Sequence, residues 1–147
     1  MQGVSATPPV APAFEALAVG MAASLRRRFS REDIAAFAAL APDAAPVHAD
    51  PAFAREMGYD AVLVHGWLAA APFSGLLGNH LPGPRTVLHW VRINMVGPVF
   101  PDDEIEYRCE IRQLSSTTRA VVLDLQATRA GSGEVVVRGQ AQCGFRQ

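Results

Sequence analysis

Thirteen consecutive residues, His65 to Leu77 (HGWLAAAPFSGLL), contain no carboxylate, lysine or arginine. A helix that is apolar all round must be buried, so this stretch predicts a helix around which the rest of the chain is built. Pro72 inside it removes one helical hydrogen bond and predicts a kink. Gly78 is the expected stop.

The C-terminal half changes period. Ile105, Tyr107, Cys109 and Ile111 alternate with Glu104, Glu106, Arg108, Glu110 and Arg112. That is the pattern of a strand with one buried face and one wet face. Val121, Leu123, Leu125 and Ala127 repeat it, and so do Val135, Val137, Gly139, Ala141 and Cys143. Gly131-Ser132-Gly133 reads as a hairpin turn between the last two strands. Thr86 to Met95 reads as a fourth strand, apolar on both faces in places, and Leu25 to Phe29 as a fifth. An antiparallel sheet curled around one buried helix is an α+β architecture.

Two short helices precede the apolar one. Ser30 with Asp33 has the form of a serine cap and a carboxylate three residues later, followed by Ile34, Phe37, Ala38 and Leu40 at helical spacing. Pro42 ends that helix. Asp50-Pro51 starts the second, with Phe53, Ala54 and Met57 as its apolar face and Gly58 as its stop.

With 147 residues the chain suits one domain, 14–147, preceded by a flexible Pro/Ala arm at 1–13. Half the residues are hydrophobic and the formal net charge is -1. The longest basic run is Arg26-Arg27-Arg28, too short to track a phosphate backbone, so no nucleic-acid partner is expected. No apolar run reaches the ~20 residues that span a bilayer, and the N-terminus lacks the form of a secretory signal. Cys109 and Cys143 form no CxxC pair and read as small buried residues in a reducing cytoplasm.

Asp43-Ala44-Ala45-Pro46-Val47-His48 is the first candidate for chemistry. It sets a carboxylate and an imidazole five residues apart in a proline-braced loop, and such a pair is the minimum for moving water across a double bond. The spacing alone leaves open a turn aspartate and a helix-flanking histidine. Val64-His65-Gly66-Trp67 is the second. A glycine in the first helical turn exposes backbone N–H groups that can polarise a carbonyl. It is also what close helix–sheet packing requires. The histidines at 48, 65, 80 and 89 have no zinc-like spacing, and His80 and His89 read as surface or satisfied core residues. No metal or cofactor is expected.

The segment FSREDIAAFAALAPDAAPVHADPAFA (29–54) resembles the signature of the MaoC-like (R)-specific enoyl-CoA hydratases. There an aspartate, an Asn-Pro pair and a histidine followed by an aspartate occur in this order and spacing. VHGWLAAAPFSGLLGNHLPG (64–83) is similar to the family's central helix, and VRINMVGPVFPDDEIEYRCEI (91–111) to the strand–turn–strand after it. The resemblance implies a hot-dog fold, usually dimeric, and an acyl-CoA or acyl-carrier-protein thioester as substrate. It implies that Asp43 and His48 hold one water, that Asp43 takes its proton, and that His48 protonates C2 of a trans-2-enoyl group. Gly66 N–H would bind the thioester oxygen and Ser74 would order the pair. Trp67 and Phe73 are the expected acyl-pocket residues.

Two departures stand out. Ala45 replaces the usual asparagine, and Trp67 and Pro72 occupy helix positions where flexible aliphatic residues are usual. Three alternatives accompany the hydratase reading. One is a 3-hydroxyacyl-carrier-protein dehydratase. The second is a hot-dog thioesterase, disfavoured because 65–78 holds no carboxylate. The third is a non-catalytic acyl-thioester-binding subunit of a heterodimer.

Overall fold

The computed structural model describes residues 11–146. The expected arm therefore lies mostly outside the described residues. The elements run β1 (Ala22–Arg27), α1 (Arg31–Leu40), α2 (Pro51–Glu56), α3 (Gly66–Ala70), α4 (Pro72–Gly75), a wide helical turn (Leu76–His80), then β2 (Thr86–Met95), β3 (Ile105–Ser115), β4 (Ala120–Arg129) and β5 (Val135–Phe145). The strands form one antiparallel sheet in the order β1-β3-β4-β5-β2. The fold is the α+β hot-dog arrangement.

The local signals act as expected. Ser30 accepts from the Asp33 N–H while the Asp33 carboxylate accepts from the Ser30 N–H, a complete capping box. Asp50 caps α2 through Ala52 and Phe53 N–H groups, with Pro51 in the first turn. Gly58 and Gly133 take positive φ, of 89° and 73°, which side chains with a Cβ avoid. The alternating residues of β3 and β4 face inward and are buried, joined by Val137, Ala141 and Cys143 of β5. Arg26, Arg27 and Arg28 sit at the exposed start of the sheet and pair with Glu106, Glu104 and Asp33. Exposed pairs of this kind contribute little to stability.

Several expectations need correction. The fifth strand covers Ala22–Arg27 rather than 25–29, and Phe29 is buried core just beyond it. Of the apolar face expected on α2 only Ala54 is buried, with Phe53 and Met57 exposed. The central helix does not stop at Gly78 but continues to His80. It is broken at Ala71, where Pro72 denies Leu68 its usual donor and Ala71 N–H closes a tighter turn onto Leu68 O at 3.1 Å. The Tyr107 hydroxyl donates to Ala69 O at 2.6 Å and pins the helix to the sheet. Burial pushes the Tyr107 hydroxyl pKa upward, which keeps it a donor.

The helix is also not buried all round. Ala69, Ala70, Phe73, Leu76 and Leu77 face the core, whereas Trp67, Ala71 and Ser74 are exposed. The physical reason lies in β2. Its register with β5 shifts between Leu88 and Trp90, a bulge that leaves His89 over and puts Leu88, Val91, Ile93 and Met95 on the helix side. That bulge accounts for a strand that reads as apolar on both faces. Yet Leu88, Val91 and Met95 remain exposed, because the helix packs towards β1 and β3 and leaves the β2 side uncovered.

Candidate active site

The loop between α1 and α2 is held at both ends. Asp43 N–H donates to Ala38 O at 3.0 Å, which fastens it to the end of α1. Asp43 Oδ1 accepts from Ala45 N–H at 3.2 Å, an Asx turn that aims the carboxylate. Pro46–His48 then forms one 3-10 turn, with no side chain capping its start at Ala45.

His48 is tied to the strand-like segment before α3. Leu63 N–H donates to Val47 O at 3.0 Å, and Leu63 O lies 2.8 Å from His48 Nδ1. A carbonyl only accepts, so Nδ1 carries a proton and Nε2 is the free nitrogen. Neutral His48 thus presents a lone pair at Nε2, and its imidazolium presents an N–H there.

His65, read in the sequence only as part of the helix-start motif, joins this pair. It is 2% exposed, and its Nε2 lies 3.1 Å from Asp43 O. Its ring stacks on the His48 ring with centroids 3.8 Å apart and planes inclined by 24°. Functional atoms of Asp43, His48 and His65 all lie within 4.8 Å of one another. The cluster is compact enough for a metal, but its geometry is wrong for one. Imidazole lone pairs lie in the ring planes, and two planes so nearly parallel meet far beyond the ~2.1 Å of a metal–nitrogen bond.

His48 and Gly66 line one cavity of about 360 Å³, together with Leu63, Met95, Pro98 and Val99. His48 and Asp43 line a second of similar size, bounded by Arg31, Ile34 and Ala45. His48 is the wall between them. At Gly66 a Cβ would meet nothing nearer than the flexible Met95 side chain at 3.5 Å, so close packing does not require glycine there. The first N–H groups of α3 have no intrahelical partner.

The other expected residues are not brought to this pair. Ser74 makes no hydrogen bond to Asp43 or His48. It is exposed beside Trp67, Ala70, Leu88 and Val91 in a separate depression of about 160 Å³. Trp67, 72% exposed, lies in the same depression. Phe73 lines its floor but points mainly into the core, where it meets Tyr107 edge-on at 5.2 Å. The thiols of Cys109 and Cys143 are pushed up to about 11 by burial, which makes them poor nucleophiles.

The Asp43–His48 loop thus packs on the start of the central helix of a hot-dog sheet. A profile of the MaoC like domain matches residues 15–135, and the chain belongs to that family. It is 38% identical over 127 residues to the (R)-specific enoyl-CoA hydratase of Aeromonas caviae, covering 86% of this chain and 94% of that one. It is 32% identical over 128 residues to 3-hydroxybutyryl-CoA dehydratase of Methylorubrum extorquens, covering 87% and 80%. The solved structure of an (R)-hydratase from A. caviae superposes with a TM-score of 0.85 at 36% identity, over 90% of this chain and 99% of that one.

Proposed function

We propose that this chain is a hydro-lyase that adds water to, or removes it from, a trans-2-enoyl or (R)-3-hydroxyacyl thioester, with CoA as the carrier. The observation that carries this reading is the placement of Asp43 and His48 with functional atoms within 4.8 Å, His48 turning its free Nε2 away from Leu63. One water fits between such groups.

In hydration, the Asp43 carboxylate takes a proton from water as its oxygen bonds to C3. The C2=C3 π electrons take a proton at C2 from His48 Nε2–H. Because Nδ1–H is committed to Leu63 O, His48 delivers that proton only as the imidazolium. Proton return from Asp43 to His48 resets the pair. Gly66 N–H binds the thioester oxygen as negative charge develops on it. The reaction has no net redox change and needs no redox cofactor. Dehydration runs the same steps backward, and a carrier-protein thioester would undergo the same chemistry.

The working unit is a homodimer. Among the described residues both sheet edges, β1 and β2, are open, but only β2 carries a row of exposed apolar residues: Val87, Leu88, Trp90, Val91 and Met95. An edge of this kind is a pairing surface. A second copy over β2 and the Trp67–Ser74 face buries both, and the acyl pocket bounded by Trp67 and Phe73 then lies beside the interface. The indole leaves room for a short or flat acyl group. Among the described residues no helix is long and apolar enough to cross a membrane, and the free, buried Cys109 and Cys143 suit a reducing cytoplasm.

The test is hydration of crotonyl-CoA by the purified chain, followed by loss of the enoyl absorbance. Activity that disappears in Asp43→Asn supports the reading. No hydration by a folded wild-type chain, or release of free CoA instead, overturns it.

A further inference from the structure

A nitrogen with nowhere to bond is the unexplained feature of this molecule. Among the described residues, His65 Nδ1 is the one buried side-chain polar atom without a hydrogen-bond partner. An orphaned polar atom of this kind weakens the fold, and a ring present only to fill space is better supplied by phenylalanine. The compensation lies at the other end of the ring. Nε2 faces Asp43 O at 3.1 Å, so the proton sits on Nε2 and Nδ1 is left bare.

His65 also has two ring neighbours. The Phe37 ring of α1 lies against it, tilted by 55° with centroids 4.9 Å apart, and the His48 ring stacks on it at 3.8 Å. It thus touches both members of the pair: the backbone of Asp43 through an N–H, and the imidazole of His48 through a face. His65 itself lines none of the cavities around the pair, so it lies behind Asp43 and His48 and does not meet substrate.

We infer that His65 is a positioning residue of the Asp43–His48 pair: its Nε2–H sets where Asp43 stands, and its ring sets the plane in which His48 turns Nε2 towards the water. This inference rests on the hydro-lyase reading, because the positioning matters only if that pair does the chemistry. The sequence His65-Gly66 then joins two jobs at one helix start. The buried histidine holds the proton carriers from behind, and the glycine beside it leaves an N–H open to the thioester.

Three variants of the full chain separate the two contacts. His65→Phe keeps a ring and loses the donor, His65→Gln keeps a donor and loses the ring, and His65→Ala loses both. Loss of an ordering hydrogen bond is expected to lower kcat on crotonyl-CoA by about tenfold in the alanine variant. The phenylalanine and glutamine variants should each recover part of that loss, with KM within about threefold throughout. A purely structural role would lower melting temperature and active fraction, yet leave kcat per active site unchanged. The inference is overturned if the alanine variant, folded, keeps wild-type kcat, or if only KM moves. Should that variant fail to fold, wild-type kcat in both other variants overturns it equally.

Nitrogen NMR of the His48 ring supplies a readout independent of turnover. The wild type should show a protonated Nδ1 held on Leu63 O, and loss of the His65 ring should loosen that hold and shift the Nδ1 signal. An unchanged His48 signal in all folded variants counts against positioning. If the wild type hydrates nothing, the hydro-lyase reading fails by itself, and the NMR comparison still decides whether His65 holds His48.

Discussion

The two sides of the central helix meet very different fates in this chain. On the side of its N-terminal end, Asp43, His48 and His65 are joined by hydrogen bonds and ring stacking that one chain completes. On the other, Trp67 and Ser74 lie exposed beside Leu88 and Val91. Proton-transfer groups need sub-ångström placement, which local bonds within one chain supply. In the proposed reading the open side binds the acyl group and needs shape, which a second copy of the chain can provide. Under the proposed reading, the contrast separates chemistry built inside one chain from specificity completed at its surface.

The largest effect should fall on the closed side. Asp43→Asn and His48→Ala should each lower kcat by roughly 10²–10⁴-fold with the fold intact. The double variant should be little worse than either single one, since the proposed mechanism has both act on one water. Near-full activity in Asp43→Asn would break the comparison at once.

The open side should respond in assembly before chemistry. A carboxylate at Val91, as in Val91→Glu, would be buried unpaired in the dimer, at a cost of about 3–5 kcal/mol. Light scattering at micromolar concentration should show a dimer in the wild type and a monomer in the variant. A wild-type monomer would mean that the exposed β2 row has another purpose.

Trp67→Ala tests specificity on the same side with a smaller effect. It should shift the preference in kcat/KM towards longer acyl chains by about tenfold, the scale of one or two methylenes in a pocket. A uniform loss across chain lengths would assign Trp67 to the interface alone.

The smallest effect belongs to Ala45. It stands at the cap position of the Pro46–His48 turn and makes no side-chain cap bond. Asparagine there should cap a free N–H and stiffen the loop by about 1 kcal/mol. Ala45→Asn should therefore raise the rate on short enoyl-CoAs a few-fold. An unchanged or lower rate in a well-folded variant would mean that the loop is tuned to another substrate.

Much of this was legible in the chain itself, for reasons that differ by element. Alternation in 105–111, 121–127 and 135–143 dictates strands because side chains in a strand point to opposite faces, whatever packs on them. Ser30 with Asp33 and Asp50 with Pro51 set their helix starts through bonds only three residues long. Asp43 and His48 could be picked out as one candidate because they share one short loop. Three things were decided only in three dimensions. The β2 bulge at His89 depends on pairing with β5, which lies some fifty residues away in the chain. The exposure of Trp67 depends on where the kinked helix lands on the sheet, and hydropathy along the chain carries no record of what remains uncovered. His65 acquired its place beside the pair through contacts 17 and 22 residues apart, a separation at which spacing says nothing and packing decides.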